Sequence, residues 1–301
     1  LFIPSHISHH QFWHFDAGIY VWAVMPMLVD WLYTAGYLFA GETGARLLNV
    51  GSILLLAALV HRIASWAGAS RVNANWAVLM LLVTPLTFLE SSSLFVEGMW
   101  SVMVVGGGLA LLRLLTQPSA ARSEIVLAGL LLGGALAAKA VTLTVLPVFA
   151  LVLLIAVQRW LSRDLLPVAG LALLIFIAVG VIPYVTAYIK TGNPVFPFFN
   201  AYFQSPLYPS ANFSAEAFFE RGLTWDTVYR MTFNSGRFLE ATPGAAGFQW
   251  LLLVMPSIFA MAFARHQRGL LVALFGIGWL WLAFSQTAYL RYVFPTFAMA
   301  S

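Results

Sequence analysis

The stretch Lys190-Thr191-Gly192-Asn193-Pro194-Val195-Phe196-Pro197-Phe198 follows a long apolar run and ends it. Gly192 can take a positive φ and stop a helix, Pro194 pushes Asn193 out of the α region, and Pro197 blocks re-entry. The last carbonyls of the helix need partners, so the exit point is polar. An apolar helix that stops at a polar turn is a segment leaving a membrane.

Composition supports that solvent. Of 301 residues, 61% are hydrophobic and 9% charged, too little charge to coat a soluble globule of this size. Eleven Trp and ten Tyr suit the aromatic belts of a bilayer. A net charge of +4 is accounted for by membrane-flanking Arg, which excludes a nucleic-acid-binding role. With no Cys, disulfides and thiolate metal sites are excluded.

Apolar runs of about twenty residues read as spans. They cover 45–67, 74–90, 94–115, 124–138, 141–158, 164–189, 247–264 and 269–287, punctuated by Gly, Pro and charge clusters. The expected fold class is an all-α, polytopic transmembrane helical bundle forming a single transmembrane domain over 1–301. Residues 1–43 form an extracytoplasmic, interfacial segment, and 190–246 an extracytoplasmic loop. Arg62, Arg71, Arg113, Arg122, Arg159, Arg163, Arg265 and Arg268 fall on one face by this count, which makes it the cytoplasmic one. Segment 19–40 is apolar yet carries Asp30, and reads as half-buried. The chain opens on Leu1 and closes where another helix begins, so it reads as an internal piece of a longer protein.

Between 124–138 and 141–158 only Lys139 and Ala140 intervene, which places a hairpin turn within the membrane. Gly129, Gly133, Gly134, Ala135, Ala137 and Ala138 suit close helix approach. An ammonium at that depth is costly without a partner, so Lys139 is a candidate functional group.

Several stretches, in order along the chain, resemble the GT-C glycosyltransferases, specifically the bacterial group related to protein mannosyltransferases and aminoarabinose transferases. Lys190–Phe198 looks like a signature of that group. Pro26-Met27-Leu28-Val29-Asp30-Trp31-Leu32-Tyr33, with Gly41-Glu42 and Leu47-Leu48-Asn49, resembles its early amphipathic segment. Thr84-Pro85-Leu86 and Phe95-Val96-Glu97 resemble a helix end and a Tyr-Val-Asp element, with Glu in place of Asp. Ala128–Lys139 is similar to its Gly/Ala-rich helix, and Arg291-Tyr292-Val293-Phe294-Pro295 to its Arg-Tyr-Leu-Leu-Pro run. The resemblance implies transfer of a sugar from a polyprenyl-phosphate donor on the periplasmic side of a bacterial inner membrane. It also implies a catalytic Asp in the first extracytoplasmic loop. That element is absent, and Asp16, in Phe15-Asp16-Ala17-Gly18, is its nearest analogue; as a structural residue it would cap a helix beginning near Gly18.

Such a transfer needs a carboxylate to activate an acceptor hydroxyl and a cation to stabilise the departing lipid phosphate. Asp16, Glu90 and Glu97 are the candidate carboxylates. Lys139, Arg291, Lys190 and Asn193 are the candidate substrate ligands, and they should converge with a carboxylate on one lipid-facing cavity. A divalent cation stays open as a cofactor. His6, His9, His10 and His14 lack the spacing of a zinc-binding HExxH helix and read as interfacial, and Asn212-Phe213-Ser214 is a chance glycosylation sequon. Ala215–Arg221, with Glu216 and Glu220, reads as a short amphipathic helix in a loop that also holds Asp226, Arg230, Arg237 and Glu240. Partners are the lipid-linked sugar, membrane lipids and, as an alternative function, a larger membrane-protein complex in which the chain is a catalytically silent scaffold. A transporter would need broken mid-membrane helices in an inverted repeat; only the Lys139 hairpin fits, and no repeat is evident.

Overall fold

A computed structural model describes residues 2–11, 15–116, 121–160, 165–213, 223–238 and 244–301, with the side chains of all but 121, 156–160 and 286. His14, Arg163, Glu240, the Arg159 side chain, Ser214 of the sequon and the helix expected over 215–221 lie outside what is described. All regular structure among the described residues is helical: α1 (Phe2–His10), α2 (Leu28–Ala67), α3 (Arg71–Leu82), α4 (Pro85–Ser92), α5 (Glu97–Thr116), α6 (Ala121–Ala138), α7 (Thr142–Trp160), α8 (Leu166–Gly180), α9 (Ile182–Thr191), α10 (Asn200–Phe203), α11 (Thr227–Phe233), α12 (Gln249–Phe263), α13 (Gln267–Gln286) and α14 (Phe294–Ala300). By length and composition, three described helices can cross a membrane, or five if each bent pair is one span. The fold is the polytopic helical membrane fold expected from the apolar runs.

The breaks fall where backbone chemistry demands them. Span 74–90 is a pair, α3 and α4, bent by 65° at Thr84-Pro85. Proline has no N–H to continue the α3 ladder but fits the first turn of α4. Span 164–189 is likewise α8 and α9, bent by 42°, with Pro183 in the first turn of α9. The expected half-buried segment and the span after it are two arms of α2, separated by non-helical Ala40 and by Gly41 at φ +62°. The arms fold back closely: a Cβ on Gly44 would stand 2.1 Å from the Gly36 carbonyl oxygen, closer than any side chain tolerates.

The chain divides into two compact units, residues 1–48 with 113–215, and 49–112 with 216–301. In the first, α6 lies directly on α8. A Cβ on Gly129 would meet the Ala172 carbonyl at 2.5 Å, and Gly180 faces the Gly133 backbone, so the glycines serve the close approach their spacing predicts. Tyr184 of α9 donates to the Leu136 carbonyl near the end of α6 at 3.1 Å. The turn expected at Lys139 is present, with Thr142 donating from Oγ1 to the Ala135 carbonyl and its N–H to the Lys139 carbonyl, but the paired hairpin is not: beyond the turn α7 leaves α6, which packs on α8 instead. Arg113 meets Glu124 at 2.7 Å near the start of α6.

In the second unit, Gly108 of α5 receives the Phe275 ring of α13, and Thr296 of α14 donates to the Gly276 carbonyl. Thr84 accepts from Gln249 and Trp250, and the Leu86 N–H bonds the Ala245 carbonyl, so the α3–α4 bend is docked on the start of α12. Arg268 donates to the Trp66 carbonyl at 3.0 Å and covers the Trp66 ring. A cation thus caps α2, as the helix dipole favours, and two Arg-rich turns that the sequence assigns to one face meet at one end of this unit. Large apolar side chains such as Leu173, Leu174 and Ile189 point outward, the arrangement a lipid solvent requires.

Candidate functional site

Two of the candidate residues meet in the second unit. Glu97 opens α5, where the helix dipole favours a carboxylate, and its side chain is fully buried. Arg291 arrives on a single 3-10 turn after α13, and its Nε lies 3.2 Å from Glu97 Oε1. Aromatic rings surround the guanidinium: Phe95 at 4.6 Å, Tyr289 at 5.3 Å and Tyr292 at 5.7 Å from its carbon. Cation–π contacts of this kind strengthen as water is excluded. Trp279 donates from Nε1 to the Tyr292 carbonyl, and fully buried Trp100 packs on both Trp279 and Tyr292, so the turn bearing Arg291 is fixed from two sides.

Asn49 sets the other half of this site. It is fully buried on the second arm of α2, and its Nδ2 reaches the carbonyls of Glu90 at 2.7 Å, Ser91 at 3.2 Å and Ser93. These carbonyls lie at the end of α4 and in the turn leading to α5, where the helix ladder no longer supplies donors. Gly98 permits the approach, since a Cβ there would lie 2.8 Å from Ser52 Oγ. The same amide therefore holds the segment from Glu90, itself fully buried, to Ser93, just ahead of α5. The signal of Asn49 in the sequence was a lone amide in the run Leu47-Leu48-Asn49-Val50.

The other candidates belong to the first unit. Lys139 is half-buried in the α6–α7 turn. Lys190 is exposed in the last turn of α9, whose cap Gly192 takes φ +73°, as its sequence predicts. Asn193 is fully buried; it donates to the Phe198 carbonyl at 2.9 Å, lies 3.3 Å from Asn200 Oδ1 and accepts from the Val195 N–H at 2.9 Å. Its amide is thereby engaged in shaping the loop. Asp16 is exposed and accepts the Gly18 N–H at 2.8 Å, closing a turn before the short 3-10 helix Val21–Val24. His6 stacks between His10 at 4.4 Å and Phe15 at 4.6 Å, in an aromatic cluster with Phe2 and Trp22. Among the described residues, no three His, Asp or Glu side chains gather as metal ligands would.

Chemically, the Glu97–Arg291 pair offers a permanently cationic group held in one orientation by a buried carboxylate. An Arg so held presents charge to a phosphate without reorganising.

The chain is similar to two solved structures of ArnT from Cupriavidus metallidurans, one in the apo state and one bound to undecaprenyl phosphate. They give TM-scores of 0.64 and 0.65 at 17% identity, over 99% of this chain. The chain spans about half of the ArnT chain, 51% and 52% in the two structures. It shares the helical membrane fold of these two structures. No family model and no curated protein matches it.

Proposed function

We propose that the chain is a membrane part of a glycosyltransferase that moves a sugar from a polyprenyl-phosphate donor to an acceptor hydroxyl on the extracytoplasmic face of a bacterial inner membrane. The observation that carries this is the buried Glu97–Arg291 pair in its aromatic surround, on a fold shared with a protein crystallised with undecaprenyl phosphate.

In the transfer, the acceptor oxygen bonds to the sugar's anomeric carbon, that carbon's bond to the phosphate oxygen breaks, and the acceptor proton passes to a carboxylate. The lipid phosphate leaves with one more negative charge than the donor carried, so a fixed cation lowers the barrier. Arg291 serves that role in the second unit, with Glu97 orienting it and Glu90 held nearby through its backbone. Lys139 serves in the first unit, with Lys190 as a further cation. Asp16, being exposed, is the carboxylate best able to meet an acceptor. Asn193 acts by holding the loop after α9. A divalent cation would add to the same stabilisation, and transfer in the presence of EDTA reports whether one is needed.

The test uses the intact protein in liposomes with a panel of undecaprenyl-phosphate sugars. Lys139→Met and Arg291→Met should each lower transfer by about 100-fold or more, the scale of losing one charge-stabilising group, while expression persists. Undiminished transfer in both variants would refute the assignment. Protein that binds undecaprenyl phosphate yet transfers no sugar would favour the silent scaffold reading.

A further inference from the structure

The single turn α10 is tied to the point where α9 ends. Asn193, the residue after the α9 cap, bonds the Phe198 carbonyl and approaches Asn200 Oδ1, so the loop closes back and α10 starts beside the last turn of α9. That turn carries exposed Lys190, and α9 presents exposed Ile182, Val185 and Ile189 at the spacing of one helix face. An outward apolar stripe ending in a Lys marks the boundary between hydrocarbon and headgroups.

At this level stand two exposed aromatic rings, Phe199 at 61% and Tyr202 at 82%. The backbone that presents them is strained, with Phe199 at φ +53° and Gln204 at φ +54°, left-handed positions unusual for these residues. Buried Asn200 holds them there. Its Oδ1 accepts the Ser205 N–H at 3.0 Å, and its Nδ2 reaches the carbonyls of Ser205, Tyr208 and Pro209 at 3.1–3.2 Å. Strain maintained by a dedicated buried amide fixes the direction of the two rings.

We propose that α10 is a membrane-interface anchor that seats Phe199 and Tyr202 among the lipid headgroups of the leaflet where α9 ends. Tyr202, with a hydroxyl on one edge of its ring, prefers that zone, and the wholly apolar ring of Phe199 beside it gains by leaving water at the same depth.

These 301 residues contain no Cys, so a cysteine introduced here is the one thiol of this segment, and any Cys elsewhere in the intact protein is first replaced by Ser. Labels at Tyr202→Cys, Ile189→Cys and Ser210→Cys of the intact protein, in phosphatidylethanolamine–phosphatidylglycerol liposomes, are compared by power saturation with oxygen and a water-soluble nickel chelate. The label at 202 should fall between the other two, at headgroup depth. Nickel access at 202 equal to that at 210 overturns the proposal, as does protection that appears only when lipid-linked sugar is added. Asn200→Ala should narrow the spectrum of a label at Phe199→Cys and move it toward nickel, with a label at 189 unchanged. An unaltered spectrum at 199 overturns the clamp.

Discussion

Arg291 Nε stands 3.2 Å from Glu97 Oε1, joining the turn after α13 to the first residue of α5. The carboxylate is fully buried, whereas the guanidinium side chain is 17% exposed. The pair is therefore open on its cationic side only, the polarity a phosphate ligand needs. Removing one partner of a buried pair leaves a charge without compensation and costs about 3–5 kcal/mol. Glu97→Gln and Arg291→Met should each lower the unfolding midpoint in detergent, and the double variant should lose less than the sum. Additive losses would show that the pair is not coupled.

Asn49→Ala withdraws an amide from three backbone carbonyls at the end of α4. A lost buried hydrogen-bonding partner costs about 1–3 kcal/mol. Hydrogen exchange should rise first over residues 90–97, with little change in α13. Uniform acceleration through the chain would argue against a local clamp.

At the α6–α8 contact, Gly133→Leu places a side chain where the Phe176 backbone lies 3.1 Å from a bare Cβ. Overpacking of this kind costs about 1–3 kcal/mol. Gly170→Leu, with open space around its Cβ, is the control. Equal thermal stability of the two variants would contradict the packing described.

Outside the spans, the Thr224 hydroxyl and then Arg230 hold the Asp226 carboxyl below its ordinary range, with Oδ1 accepting from Thr224 at 2.6 Å and Oδ2 from Arg230 at 2.7 Å. A lowered value in the folded state means that the contribution of this group is complete above the unfolded value, near 3.8, and fades as pH falls below it through the folded one. Amide exchange in α11, corrected for its intrinsic pH dependence, should accelerate through that acid window. Asp226→Asn should remove the step, and its persistence would assign it elsewhere.

Much of the fold was legible because its determinants are local. Apolar runs of span length and the left-handed cap at Gly192 follow from the residues at those positions. The turn at Lys139 and the glycine face of α6 were legible for the same reason, whereas the expected pairing of α6 with α7 gives way to packing of α6 on α8. The bends at 84–85 and 181–183 were not visible as bends, since hydropathy reports a continuous run whatever its direction. Lys190, Asn193 and Asp16 stood out by type, but type does not show that the amide of Asn193 is engaged within its own loop.

The sequence by itself determined the solvent, the helical class, where helices stop and which few charged groups an apolar chain retains. These depend on composition, period and backbone restriction, properties of neighbouring residues. Only the tertiary structure decided that Arg291 takes Glu97 as its partner, that Asn49 ties α2 to the end of α4 and the turn after it, and that Asn200 holds a strained turn outward. The first two pairings join residues from separate elements, and in all three a buried charge or amide is specified by the packing that excludes water around it, which residue type alone does not encode.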